Sequence, residues 1–281
     1  MWRLLWCHSA PMDDTVQPPA EDDANKPFFL TYHTGDVPVE VWEHILYMVD
    51  FPTLKACAIT CRTFLRRSRH HLYRHAYLKN FHDAKLLVRA LRKDPDSRGA
   101  VRELLLDFPA ATKPAGPVIK YLFPMLHNLR RLHIRSFTSI HPEFYTALSA
   151  VSQAVTGLCL VWCNFKEIAE FTRIVLALPN LRDLAIYPGV FANITAADDQ
   201  GDGDVDVSAI PLSSIVMQEE SWRFATGPLG RWLSKTSTPQ CLEKLYMRPD
   251  VHSSRTSRDF IHLAKHCLHT LVLDLSRLDG A

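Results

Sequence analysis

Glycine is scarce in this chain. Ten glycines in 281 residues argue against the backbone cradles that hold phosphate in nucleotide enzymes. The Gly-x-Ser-x-Gly elbow, the Gly-x-x-x-x-Gly-Lys-Ser/Thr loop and His-Glu-x-x-His are all missing, which removes the familiar hydrolase, nucleotide and zinc-protease patterns. No apolar run reaches the roughly 18 residues of a membrane span. The opening MWRLLWCHSA, a short apolar run behind Arg3, is too short for a signal peptide. Net charge is also lacking: 32 Lys and Arg face 30 Asp and Glu, so overall charge selects no partner. The expectation is a soluble protein of the cytoplasm or nucleus that binds rather than catalyses, with no cofactor, no metal and no membrane association.

Apolar residues are plentiful. At 47% hydrophobic, the chain supports one extended domain or two modest ones with a sizeable core. Seven cysteines, an odd number scattered through apolar runs, fit reduced thiols better than a disulfide framework. Charge is uneven locally: residues 13–50 carry nine Asp/Glu against one Lys, and residues 55–102 carry thirteen Lys/Arg against three Asp.

Residues 10–35 are rich in Pro, Asp, Glu and small residues and short of apolar surface, so residues 1–35 are expected to form a disordered arm. Order is expected from about Asp36, a helix cap, with Pro38 and Glu40 in the first turn. Val41, Ile45 and Val49 form a helical stripe, widened by Trp42 and Leu46. Asp50 to Thr53 reads as a turn, with Pro52 opening a second helix lined by Leu54, Ala58 and Cys61. Phe64, Leu65, Leu72 and Tyr73 continue a third. Three short helices cannot bury all these faces against one another, which leaves apolar surface for a neighbour.

The segment 36–75 resembles an F-box, the helical module that docks substrate receptors on the Skp adaptor of Skp–cullin–F-box ubiquitin ligases. Pro38 and Glu40 stand at the motif's Leu-Pro-x-Glu start, Ile45-Leu46 at its Ile-Leu pair, Asp50 at the turn, Leu54 at the second-helix Leu, and Cys61-Arg62 at its Cys-Arg pair. Val37 replaces the usual Leu and Phe64 the usual Trp. The resemblance implies adaptor contacts by Val37, Pro38, Val41, Ile45, Leu46, Leu54, Cys61 and Phe64, some of which are alternatively core residues of the module.

Beyond a helical linker expected over 76–100, a repeat emerges. The pattern apolar-x-x-apolar-x-apolar starts at Val101, Leu129, Val155, Leu181, Leu212, Leu242 and Leu268, at spacings of 28, 26, 26, 31, 30 and 26 residues. Amphipathic helical stretches lie between the matches, as in PVIKYLFPML, PEFYTALSAV, KEIAEFTRIVLAL and SRDFIHLAKHC. One strand and one helix per unit is similar to leucine-rich repeats, in which stacking makes a continuous core. Such repeats usually carry Asn or Cys three residues after the last pattern position, and here only Cys163 does. The expected fold class is α+β: a three-helix F-box-like module at 36–75, then an α/β leucine-rich-repeat-like solenoid over 101–281. The combination resembles fungal F-box receptors. It implies a Skp-type adaptor, a cullin reached through it, and a protein substrate as partners.

Other motifs carry less. Cys57, Cys61, His70, His71 and His75 invite a zinc site, but their spacing matches no Cys-His knuckle and an unbroken helix wraps an ion poorly. The basic run from Arg66 to His75 suits a nucleic-acid surface over 62–102 only if its charges share a face with stacking aromatics. Tyr73, Tyr77 and Phe81 are the aromatics interleaved there. Asp202, Asp204 and Asp206 sketch a calcium loop, but Val207 stands where Gly is needed and Ser213 where Glu is needed. A protein-binding scaffold outside any ligase, or a nucleic-acid-binding protein, are the alternative functions.

Overall fold

A computed structural model describes residues 38–60, 62–108, 116–137, 142–163, 165, 167–187, 190, 210–217, 232–233, 236–247, 261–262 and 264–273. The chain forms two compact units, residues 1–71 and 72–281. The expected N-terminal arm, the acidic segment around Asp204, and Val37 and Cys61 lie outside the described residues.

The first unit holds α1 (Val39–Met48), α2 (Phe51–Thr60) and all but the last two residues of α3 (Arg62–Tyr73). With Pro38 rather than Asp36 at the cap, helix α1 begins two residues later than expected. Pro38 is its N-cap in an extended conformation, with no side-chain cap. Pro lacks an N–H and its fixed φ suits helix entry. Between α1 and α2, the Asp50 carboxylate accepts the Thr53 N–H at 3.0 Å. Hydrogen bonds from Thr53, its side chain first and this N–H second, hold the Asp50 carboxyl below its ordinary range. Helix α3 packs on α1 through named pairs. Trp42 meets Phe64 edge-on at 5.1 Å, Glu43 pairs with Arg67 and with His71 (3.1 Å), and the Tyr47 ring lies 6.3 Å from His71. These partners advance in the same sense along both helices, so α1 and α3 run parallel.

The second unit is built on one eight-stranded parallel sheet whose strands follow in chain order. These are β1 (His75–Leu78), β2 (Glu103–Asp107), β3 (Arg131–Arg135), β4 (Gly157–Val161), β5 (Asp183–Ile186), β6 (Ser214–Met217), β7 (Lys244–Met247) and β8 (Thr270–Leu273). All seven apolar patterns are strands. Helices α4 (Phe81–Lys93), α5 (Gly116–Leu122), α6 (Pro142–Leu148) and α7 (Ile168–Leu176) lie between successive strands, each packed against the next. A short α8 (Thr238–Cys241) precedes β7.

The segment expected as a linker, 76–100, is instead the first strand–helix unit. Tyr73, Ala76 and Leu78 repeat the apolar pattern 28 residues before Val101, with an aromatic ring and a methyl group in slots held elsewhere by Leu, Ile, Val or Met. Its helix is well specified locally. Asn80 at the N-cap accepts the Asp83 N–H at 2.9 Å, and the Asp83 carboxylate reaches back to the Lys79 N–H at 3.0 Å.

Alternation along the strands sorts side chains between two faces. One face is the core. Leu104, Leu132, Leu158, Leu184, Ile215 and Leu245 form one buried row across the sheet, and Leu106, Ile134, Leu160, Ile186, Met217 and Met247 a second. The helices supply the opposing layer, for example Leu87 and Leu91 of α4 and Phe171 and Ile174 of α7. On β8 the corresponding Leu271 and Leu273 are exposed.

Two hydrogen-bond ladders repeat with the units. At each strand entry one carbonyl accepts from two successive N–H groups of the next unit. The acceptors are Arg74, Arg102, Arg130, Thr156, Arg182, Ser213 and Glu243. The second ladder uses the residue just before the first apolar position. Asn128 donates to Gly99 O (3.1 Å), Asn180 to Gln153 O (2.9 Å) and the Cys267 thiol to Gln240 O (2.7 Å). Asn128→Ala leaves a half-buried carbonyl without its donor and is expected to cost about 1 kcal/mol in urea unfolding. An unchanged midpoint would show that the ladder contributes nothing.

Candidate functional site

Two surfaces offer binding chemistry, one on each unit. On α1, residues spaced i, i+4 and i+7 put Val41, Ile45 and Met48 on one side. Val41 is 44% exposed, Ile45 40% and Met48 71%. Trp42 and Leu46, with Val49 beyond the helix end, take the inner side. The single widened stripe expected from sequence is therefore two stripes with opposite roles.

Of the residues expected to contact an adaptor, Pro38, Val41 and Ile45 are exposed. Leu46, 2% exposed, and Leu54, 7% exposed, are not available as contacts; they are core residues, because each sits on the inner side of its helix. Phe64 is half-buried against Trp42. Sequence reasoning missed Met48, Tyr47 and Ile59, which are among the most exposed large apolar side chains of this unit. The heptad-like spacing from Val41 to Met48 was the available signal.

The basic segment does not gather on one face of α3. Arg66 and Arg69 are exposed, while Arg67 and His71 turn to Glu43. The aromatics that would stack bases are engaged in their own contacts. The Tyr77 hydroxyl donates to Asp107 (3.0 Å), and Phe81 carries Lys85 over its ring at 4.4 Å. Among the described residues no group of His, Cys, Asp and Glu is arranged to hold a metal ion. His75, one of the suggested zinc ligands, binds Glu103 from β1 at 3.0 Å.

The second surface is the face of the sheet opposite the helices. The outermost row reads His75, Glu103, Arg131, Gly157, Asp183, Ser214, Lys244 and Thr270 in register. The next reads Tyr77, Leu105, His133, Cys159, Ala185, Val216, Tyr246 and Val272, all half-buried up to Tyr246. Over β1 to β3 the face is charged and internally bonded: Glu103 meets His75 and Arg131 (3.5 Å), and Asp107 meets Tyr77 and Arg135 (3.9 Å). Over β4 to β8 the second row is small or apolar apart from the Tyr246 hydroxyl, while the first carries Asp183 and Lys244 among Gly157, Ser214 and Thr270. Just past β4, Trp162 stands 62% exposed on a left-handed backbone, φ 56°. That conformation is uncommon for a bulky residue. Beneath it the Cys163 thiol is buried and donates to Ile134 O at 3.3 Å.

The cysteines on and beneath this face are held as thiols. Burial pushes the Cys159 and Cys163 thiols up to about 12, so neither is a thiolate near neutral pH. The His75 hydrogen bond holds the Glu103 carboxyl below its usual value of 4.5, and burial holds the His133 imidazole below 6.5. Both shifts act in one direction. Below about pH 6.5 the unfolded His133 takes a proton that the folded one resists, so stability falls as the solution is acidified. The Glu103 contribution, present above its unfolded value, is lost as pH falls through its folded value. Thermal melts should therefore weaken in two stages on acidification, His133→Gln removing the upper stage and Glu103→Gln the lower. Unaltered pH profiles in both variants would contradict this.

No helix among the described residues is long and apolar enough to cross a membrane. No protein-family model matches the chain, and no curated protein is significantly similar to it.

Proposed function

We propose that this chain is the substrate receptor of a Skp–cullin–F-box type ubiquitin ligase. The first unit docks on the Skp adaptor as an F-box, and the second binds a protein substrate as a leucine-rich-repeat-like array. The observation that carries the reading is the exposed stripe Val41, Ile45, Met48, which includes a residue of the motif's Ile-Leu pair while that pair's other member, Leu46, is core. A helix that keeps three large apolar residues on its outer side needs a partner for them.

The second unit supports the array reading. Parallel sheets are usually covered on both faces and read as continuous apolar runs. Here strict alternation leaves one face polar or half-buried, as expected of stacked strand–helix units. Units of 26 to 31 residues repeat the same backbone ladder, and Cys163 occupies the position where such repeats place Asn or Cys and bonds a neighbouring unit's carbonyl.

The mechanism is proximity. Holding a substrate lysine near a charged conjugating enzyme raises its effective concentration without chemistry from this chain. Affinity purification from cells with the proteasome blocked tests the reading: an Skp-type adaptor and a cullin are expected with the wild type. Their failure to appear would exclude the receptor role and leave a scaffold outside any ligase.

A further inference from the structure

Charge alternates on the outermost row of the open sheet face at every second strand. Arg131 lies on β3, Asp183 on β5 and Lys244 on β7, with Gly157 and Ser214 on the strands between. Neighbouring strands are about 4.8 Å apart, so a charge of alternating sign recurs about every 10 Å across the sheet. Asp183 and Lys244 are exposed, and among the described residues no side-chain partner meets either. Arg131 is 61% exposed and approaches Glu103 only at 3.5 Å. The adjoining row over the same strands is apolar or small: Cys159, Ala185, Val216 and Tyr246.

We propose that this face receives an amphipathic α-helix of the partner protein, laid across the strands. Its apolar stripe rests on the Cys159 to Tyr246 row, and an acid–base–acid series along its flank meets Arg131, Asp183 and Lys244. This rests on the reading of the sheet as a protein-binding surface, and specifies what it binds. The match is metric. An α-helix returns to the same face every seven residues, about 10.5 Å, close to the two-strand step. An extended strand covers that distance in about three residues, which throws successive charges to opposite sides. The Arg131 stem lies over Gly157, which has no side chain of its own, and Ala185 adds only a methyl group on β5, so the row stays low enough for a rod about 10 Å wide.

The test uses the full chain and synthetic peptides of about 21 residues with leucine at heptad a and d positions. One carries Glu, Lys, Glu at successive heptad sites beside that stripe, and a second carries Lys, Glu, Lys there. A third is the first with a central proline that breaks the helix. Fluorescence anisotropy is expected to show the first binding about tenfold tighter than the second. Asp183→Lys with Lys244→Glu should invert that order, and Asp183→Asn with Lys244→Gln should shrink it to about twofold, the share left to Arg131. Equal binding of the first two peptides overturns the proposal, and so does undiminished binding of the proline-broken one, which would point to an extended occupant. Adaptor retention, measured on the same preparations, keeps the outcomes apart. Lost discrimination with adaptor retained defeats this inference alone, whereas a missing adaptor defeats the receptor reading.

Discussion

Replacing Val41 and Ile45 together by aspartate is expected to weaken retention of an Skp-type adaptor by about a hundredfold or more, with the fold intact. Interface anchors of this size each contribute about 1–3 kcal/mol when desolvated, and burying an unpaired carboxylate in their place adds a further penalty. Two such sites together exceed the roughly 2.7 kcal/mol that a hundredfold change represents. The pair is chosen because both side chains are already partly in water, at 44% and 40% exposure, and neither lies on the side of α1 that packs against α3. Leu46→Ala is the contrasting variant. At 2% exposure it should cost about 2–5 kcal/mol of folding stability and lose adaptor only by unfolding the unit. Quantitative pull-down and thermal melting, run on both variants, separate the two effects. Full adaptor retention by the aspartate pair would remove the F-box reading. If the charged pair disturbs the helix, Val41→Ser with Ile45→Ser asks the same question without charge, and full retention there is equally decisive.

The strands were legible because their information is local. Seven patterns of apolar-x-x-apolar-x-apolar mark seven strands, and the parallel registers join equivalent pattern positions of successive units. β1 was hidden for a chemical reason: Tyr73 and Ala76 stand in for larger aliphatics, so a search for branched side chains passes over them. The ladder of polar donors was hidden by its position. Asn was sought three residues after the pattern, whereas Asn128 and Asn180 sit one residue before it, in the repeated phrases Asn-Leu-Arg-Arg-Leu and Asn-Leu-Arg-Asp-Leu.

The binding surfaces were only half legible. On α1 the apolar residues number too many for one face, and sequence spacing alone does not say which of two stripes packs inward. The answer comes from α3, whose Phe64, Arg67 and His71 select Trp42 and Glu43 as the inner side. On the sheet, alternation predicts which residues point away from the core. What it omits is the order of neighbours across strands, and that order alone turns Arg131, Asp183 and Lys244, more than a hundred residues apart end to end, into one row.

Phe144→Ala is expected to produce the largest loss of stability from a single truncation in the second unit, about 3–5 kcal/mol. Phe144 is 1% exposed on α6, with ring centroids of Phe123 at 5.9 Å and Phe137 at 5.4 Å; Phe137 in turn lies 6.1 Å from Phe108. Phe108 follows β2, Phe137 follows β3 and Phe123 follows α5, so this one ring ties successive units together. Removing it leaves a cavity that close-packed neighbours refill only in part, and it forfeits one edge-on and one tilted aromatic contact, worth about 0.5–1.5 kcal/mol each beyond area burial. Against a total stability of about 5–15 kcal/mol this is a large fraction. Phe144→Leu keeps most of the volume and should cost about 1 kcal/mol. Urea unfolding should show a lower midpoint for the alanine variant, and hydrogen exchange should speed up first in β3 and β4, the strands flanking the cavity, if units lean mainly on their neighbours. A loss below about 1 kcal/mol would mean that the aromatic cluster does not couple the units, and uniform acceleration across all strands would mean that the sheet unfolds as one body rather than unit by unit.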